Sequence, residues 1–355
     1  MKTIQRLFNA CLLRPMDLKP SRDDFEVIGV FNPGAVATEE GVVLLVRVAE
    51  RPAEKRAGFV ALPRWDEAVK DVVVDWVPAA ETVSADVRTV QFKQSGLVRL
   101  QFISHLRVVR SRDGRSIDTI DGARLEPATE YEEFGVEDAR ITRIGDAFHI
   151  TYVAVSRHGV ATALASTQDF KSFQRHGIIF PPENKDVVLF PEKIGGRYHA
   201  LHRPAGCASF ARPEMWIATS PDLISWGEHE HFVGGAGEWD VGRVGAGAPP
   251  VRTREGWLEM YHGNSQVPGD ADIGVYSGGV LLLELENPRR ILGASGPVFV
   301  PETAFEREGY VPNVVFPTGI VDRDATALIY YGAADTVTAV VEFSMVEVLK
   351  SARGL

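Results

Sequence analysis

A chain of 355 residues, 45% apolar and carrying both charge signs, is long enough for one large core and has the composition of a folded globular protein. Its net charge of −10 argues against a nucleic-acid or anionic-membrane partner, while leaving room for a local cationic pocket that takes a small anion. Only Cys11 and Cys207 are present, far apart in sequence, so neither a disulfide framework nor a zinc knuckle is expected and a reducing cytosol fits.

Residues 1–24 begin MKTIQRLFNACLLRP, where Arg6 and Asn9 interrupt the apolar run too early for a signal peptide. Pro15 and Pro20 break any long element, and this segment is expected to be an irregular N-terminal extension. No apolar run reaches the length that crosses a membrane as a helix. Next, Phe31-Asn32-Pro33-Gly34 reads as a turn and Val42 to Val48 as an apolar strand. Arg47 interrupts the end of that strand, either as a snorkelling edge arginine or as a guanidinium projected into a site. FVALPRWD and VVVDWVP give two short strands, and residues 97–116 give a strand ending at the Asp113-Gly114 turn.

Residues 134–140, FGVEDAR, lead into the alternating strand FHITYVAVS. Glu137 and Asp138 stand side by side; neighbouring carboxylates repel, so that one can be kept protonated near neutral pH. An acid aimed into a cavity is one reason for that arrangement, and a solvated turn is the other. Further on, STQDFKSFQR at 166–175 is echoed by TSPDLISWGE at 219–228, with Asp169 and Asp222, Ser172 and Ser225, Phe173 and Trp226 all offset by 53 residues. Each copy follows an alternating strand, which marks a repeated strand-turn unit. GRYHALHRPAG, GWLEMYHG and DATALIYYGAAD keep the same cadence, each ending on polar or aromatic residues before a turn.

No segment shows a sustained helical period, so crossover helices are missing and a doubly wound α/β fold is disfavoured. Many short strands in units of roughly 50 to 70 residues predict an all-β, five-bladed β-propeller over residues 25–350, with a β-sandwich as the competitor. In a propeller, strand ends far apart in sequence meet at one central pocket.

Several groups stand at those ends. Lys185, Arg203 and Arg243 are candidates for an anion site, since arginine pairs phosphate or carboxylate in a bidentate fashion. Tyr261, His262 and Tyr331 can stack on or hydrogen-bond a sugar ring, and Asn184 and Asp335 can clamp vicinal hydroxyls. Asp138 is the candidate catalytic acid; with a bound phosphate as nucleophile, no second protein carboxylate is required to cleave a glycosidic bond. GAGAPP at 245–250 lacks the Lys-Ser or Lys-Thr of a phosphate loop, and EHEH at 228–231 lacks metal-motif spacing and reads as a solvated loop. No metal or cofactor is called for.

The set FNPG, YEEFGVEDARIT, ENKDVVLFPEKIGGRYHALHRP, SPDLISW, VGAGAPP with GWLEMYHG, and YYGAADT resembles glycoside hydrolase family 130, the mannoside phosphorylases and related β-mannosidases. The resemblance implies a five-bladed propeller that cleaves β-mannosides with inversion, using inorganic phosphate as co-substrate to release α-mannose 1-phosphate. It implies Asp138 as the acid, relaying its proton through the mannosyl 3-hydroxyl. Arg203, Arg243 and His262 become phosphate contacts; Arg47 and Asp335 hold the mannosyl unit, with Asn184 and Lys185 lining the site. Two departures stand out: Ala139 replaces a usual proline, and Arg243 replaces a lysine found in several phosphorylases. The YE start of YEEFGVEDARIT is closer to members acting on β-1,2-mannosides than on β-1,4-mannosyl-glucose. Hydrolysis of the same linkage and a non-catalytic carbohydrate-binding propeller are the competing readings. Glu302 and Glu308 lie in a loop that either frames the acceptor or faces solvent. A mannoside and phosphate are the implied partners, a cytoplasmic location is implied, and a homo-oligomer is compatible with the sequence.

Overall fold

The computed structural model describes residues 3–84, 88–205, 210–266 and 273–353; Cys207 lies outside them. Five antiparallel sheets of four principal strands each follow one another along the chain and form the blades of a β-propeller. Blade 1 holds Phe25–Thr38, Gly41–Pro52, Ile103–Ser111 and Thr119–Leu125; blade 2 holds Gly135–Ile144, Ala147–Ser156, Gly159–Thr167 and Gln174–Phe180. Blade 3 holds Asn184–Leu189, Tyr198–Pro204, Met215–Ser220 and Gly227–Val233; blade 4 holds Arg243–Ala246, Trp257–Asn264, Tyr276–Leu283 and Ile291–Phe299. Blade 5 runs Val315–Arg323, Thr326–Ala333 and Val337–Ser344, and its outermost strand is Phe8–Leu13 from the other end of the chain. The first strand of each blade is the inner one.

That closure corrects the expectation of an irregular extension over residues 1–24. Phe8 pairs Glu342 and Leu13 pairs Thr338, so the N-terminal strand covers what would otherwise be an open sheet edge. Phe8, Ala10 and Leu12 pack on one side, into the core between blades 5 and 1, while Cys11 packs on the other. Arg6 donates to Glu306 Oε1 across 2.6 Å and anchors the segment further.

Side chains between successive blades form the core. Val43, Leu45, Leu106 and Val108 of blade 1 meet Val136, Ile141, Ile150 and Tyr152 of blade 2, as expected where sheets pack face to face. The repeated turn is a structural unit, and it has a third copy that the sequence comparison overlooked. Between the third and fourth strands of blades 1, 2 and 3, Asp113, Asp169 and Asp222 each accept two backbone N–H groups through Oδ1, from Arg115 and Ser116, Lys171 and Ser172, and Ile224 and Ser225. The residue after each aspartate is left-handed: Gly114, Phe170 and Leu223. An aspartate that folds back on the chain is a sequence-encoded turn.

The C-terminal segment departs from the strand-only expectation. Met345–Ala352 is a helix whose Met345, Val348 and Ala352 are buried against blades 4 and 5. Two turns are too short for a helical period to stand out in sequence. Residues between the second and third strands of blade 1 form a hairpin, Phe59–Asp66 with Asp71–Pro78, and a small sheet of Thr82–Ser84, Thr89–Phe92 and Val98–Leu100. The EHEH run is the exposed outer strand of blade 3, where Glu228 accepts from Thr219, Glu230 from Arg289, and His231 meets Glu214. Among the described residues no helix is long and apolar enough to cross a membrane.

Candidate active site

Three adjacent inner strands each break their ladder at a polar residue with positive φ. Asn32 (48°) lies between Phe31 and Gly34, Asp138 (49°) between Glu137 and Arg140, and Asp186 (55°) between Lys185 and Val188. FNPG is therefore a bulge within a continuous strand and not a turn. Asn and Asp tolerate the left-handed region, and a bulge re-aims its side chain away from the regular alternation. All three residues face one cavity of about 930 Å³. That size suits a small organic ligand.

Arg47 projects from the second strand of blade 1 across this floor. Its Nη1 donates to Asp138 Oδ1 (3.0 Å), its Nη2 to Glu137 Oε1 (2.6 Å) and its Nε to Ser104 Oγ (3.2 Å). Phe31 lies under the guanidinium at 4.6 Å, a cation–π contact. Asn32 Nδ2 adds a donor to Asp138 Oδ1 at 2.9 Å. Burial pushes the Asp138 carboxyl up, but Arg47, Arg140, Asn32 and Lys185 together outweigh it and hold it below the usual carboxylate range. Repulsion between the neighbouring carboxylates therefore does not keep Asp138 protonated in the free site: the Arg47 guanidinium lies between the two and donates to both.

On the neighbouring wall stand Lys185, Arg203 and Arg243. Arg203 Nε donates to Asp186 Oδ2 at 2.7 Å, and Arg140 Nη2 donates to Asp186 Oδ1 at 3.2 Å. Burial raises the Asp186 carboxyl, but the Arg203 and Arg140 guanidinium groups more than reverse this, so it stays ionised. Arg243 donates to Gln266 Oε1 at 3.0 Å and lies over the Tyr276 ring at 5.9 Å. GAGAPP explains itself here: a Cβ on Gly245 would sit 2.7 Å from Asp186 Oδ2 and from the His262 ring.

The other candidates divide by which way their strands point them. Asp335, also left-handed (φ 47°), lines the cavity; burial raises its carboxyl, against the pull of Arg88 and Arg47. His262 lies one layer behind the wall, fully buried, with Nε2 3.5 Å from Asp186 Oδ2 and its ring 4.4 Å from Phe316. Burial lowers its pKa to about 3, so it is a neutral ring and not a cationic phosphate contact. Asn184 is likewise behind the surface, donating through Nδ2 to His202 Nδ1 at 3.0 Å. Tyr261, next to His262 on its strand, points the opposite way into the core of blades 3 and 4, 5.5 Å from Trp239. Tyr331 also leaves the site; its hydroxyl donates to Asn9 Oδ1 (2.8 Å) and Glu306 Oε1 (2.6 Å). Glu302 pairs with Arg6 at 3.3 Å, and of its loop it is Tyr310, Val311 and Val314 that reach the cavity.

Asp186 and Asn32 were missed as site residues, although Asn32 lies in FNPG and Asp186 in ENKDVVLFP. The available signal was a polar triplet, Asn184-Lys185-Asp186, opening an otherwise apolar strand. The small blade 1 sheet also lines the cavity, with Phe92, Leu97 and Leu100 beside Phe102 and Phe134. Its irregular pattern gave no signal.

The glycoside hydrolase 130 family model, described as β-1,4-mannooligosaccharide phosphorylase, matches residues 102–353. The chain belongs to glycoside hydrolase family 130. Within this family it is 39% identical over 350 residues to the β-1,2-mannobiose phosphorylase of Listeria innocua, spanning 95% of each chain. The structure of the Listeria innocua enzyme in complex with β-1,2-mannobiose superposes with a TM-score of 0.90, at 40% identity and 97% coverage of both chains. A 1,2-β-oligomannan phosphorylase of a Thermoanaerobacter species is 35% identical over 70% of this chain and 81% of its own. The β-1,4-mannooligosaccharide phosphorylase of Ruminococcus albus is 36% identical, over 56% of this chain and 59% of its own.

Proposed function

We propose that this family 130 chain catalyses inverting phosphorolysis of β-mannosides, with β-1,2-linked mannobiose or mannooligosaccharides favoured, and releases α-D-mannose 1-phosphate. The observation that carries the reading is a single cavity lined by both Asp138 and the cations Lys185, Arg203 and Arg243. Phosphate bound to those cations attacks the anomeric carbon. A phosphate oxygen–C1 bond forms as the C1–glycosidic oxygen bond breaks, and one proton passes from Asp138 to the leaving oxygen through the mannosyl 3-hydroxyl. Asp138 and the aglycone then lie on the face opposite the attacking phosphate, which gives inversion.

Asp138 is ionised in the free site, so it must gain its proton as ligands bind. A phosphate anion supplies the means. It offsets the charge of Lys185 and its neighbours, which otherwise depress the Asp138 carboxyl, and like charge nearby disfavours the ionised form. The acid is thereby armed when the nucleophile is seated. The wide cavity and the aromatic and apolar wall of the blade 1 insertion suit an acceptor sugar beyond the reacting mannose. The low cysteine count supports a cytosolic setting.

Incubation with β-1,2-mannobiose, with and without inorganic phosphate, tests the reading. Mannose 1-phosphate is expected only with phosphate present. Free mannose released at the same rate in its absence overturns phosphorolysis in favour of hydrolysis, and faster turnover of β-1,4-mannosides overturns the linkage.

A further inference from the structure

Arg140 stands two residues after Asp138 on the inner strand of blade 2, is 1% exposed and does not line the cavity. Its guanidinium nevertheless reaches three blades. Nη1 donates to the backbone carbonyl of Asp138 at 2.9 Å, Nη2 to Asp186 Oδ1 of blade 3 at 3.2 Å, and Nε to the carbonyl of Gly247, beside blade 4, at 3.1 Å. The Gly247 amide is fixed from its other side as well, its N–H donating to the buried Glu259 at 3.2 Å. No single-point charge can satisfy three acceptors spread across a plane in this way; the guanidinium fork can.

Two of the three acceptors belong to the left-handed bulge residues whose side chains face the ligand. One is the proton donor, and the other holds Arg203 by a 2.7 Å bond from Nε to Asp186 Oδ2. A continuous path of hydrogen bonds therefore runs from the Asp138 backbone through Arg140 and Asp186 to Arg203. Bulge residues lack the ladder bonds that fix a regular strand, so their placement depends on such ties.

We propose that Arg140 is a positioning residue that sets the acid Asp138 and the phosphate-binding Arg203 in one common frame, so that proton delivery and nucleophile placement are fixed together. The inference rests on the phosphorolysis reading. It assigns to Arg140 and Asp186 an effect on turnover without contact between Arg140 and either ligand.

Steady-state kinetics of the full chain with β-1,2-mannobiose and phosphate, on Arg140→Lys, Asp186→Asn and the double variant, test it. Arg140→Lys keeps a charge but loses the planar fork. It is expected to lower kcat about 100-fold and raise the phosphate KM about tenfold, the scale of effect when a reacting group is displaced by about 1 Å. Asp186→Asn cuts the path on the phosphate side alone, so the phosphate KM rises about tenfold with the smaller loss in kcat. The double variant should be no worse in phosphate KM than Arg140→Lys, because one path is broken once. Calorimetric binding of phosphate to Asp186→Asn gives the same answer if Arg140→Lys does not fold. Variants that lose thermal stability but keep kcat and phosphate KM within twofold, or whose effects multiply, overturn the link and leave Arg140 a structural tie. A wild-type chain with no phosphate-dependent turnover would instead overturn the functional reading beneath it.

Discussion

Asn32 and Asp138 meet side chain to side chain at 2.9 Å, each from a left-handed residue in the bulge of its own inner strand. Neither position lies on the regular alternation of its strand. The contact holds the Asp138 carboxylate with one fixed oxygen, Oδ1, shared by Asn32 and Arg47. The first prediction follows from that placement.

Asp138→Asn keeps the size and the left-handed tolerance of the side chain but removes the transferable proton. Turnover is expected to fall about 10²- to 10⁴-fold, the range for loss of a general acid. Binding of β-1,2-mannobiose, read by calorimetry, should persist, because the proton is needed chiefly in the transition state. Unchanged turnover would point to a site in which Asp138 is only a polar anchor.

Gly245→Ala probes the other half of the site. The added Cβ would meet Asp186 Oδ2 and His262 at 2.7 Å, so the carboxylate that holds Arg203 must shift. A rise of about tenfold in the phosphate KM is expected, with sugar binding in the absence of phosphate unaltered. An unchanged phosphate KM would show that Asp186 does not hold the clamp.

Acid should unfold this protein in a window set by histidines. Burial lowers His105, His202 and His262 each to about 3, and all three are buried in the fold. At these three sites the unfolded chain binds more protons between about pH 6.5 and 3, so their contribution to stability falls as pH drops through that range. Glu259, Asp335 and Glu50 offset this in part, because their raised carboxyls take up protons earlier in the folded state. Each histidine contributes about 1.4 kcal/mol per pH unit once its unfolded form is charged. Asp138 and Asp186, held below the usual carboxylate range, add losses only at lower pH, as it falls through their folded values. Denaturant titrations at pH 7 and pH 5 measure the difference, and His202→Gln should make it shallower by about one proton.

Blade closure gives the fourth prediction. Leu13 is 3% exposed at the end of the N-terminal strand, and Leu13→Ala should cost about 2–4 kcal/mol by leaving a cavity. Removing residues 1–13 also exposes the edge of Val337–Ser344, and should lower Tm further and promote association through the open strand. A Tm unchanged by the truncation would mean that the fifth blade is stable with three strands.

Much of the architecture was legible in the chain, because a propeller blade is built from local hairpins. Short strands, Gly and Pro punctuation and the Asp169 and Asp222 turns are written within a few residues of where they act. The turn at Asp113-Gly114 was named, but its kinship with the other two was hidden because Gly114 takes the left-handed position that Phe170 and Leu223 fill elsewhere. Asp138, Lys185, Arg203, Arg243, Arg47 and Asp335 were named from sequence, and all six line the cavity. The small blade 1 sheet that walls it was not, since its strands are too short and irregular to carry a period.

What the sequence alone determined was the strand type and the number of blades, the turn chemistry, and the stock of charges brought to the strand ends. Tertiary structure alone decided which of those side chains turn toward the axis. One extra residue in a strand reverses its faces, and whether a bulge forms depends on hydrogen-bond partners in the adjacent strand and blade. That is why Tyr261 and Tyr331 went to the core, why His262 and Asn184 stand behind the wall, and why Asp186 and Arg140 became visible only once three blades met around them.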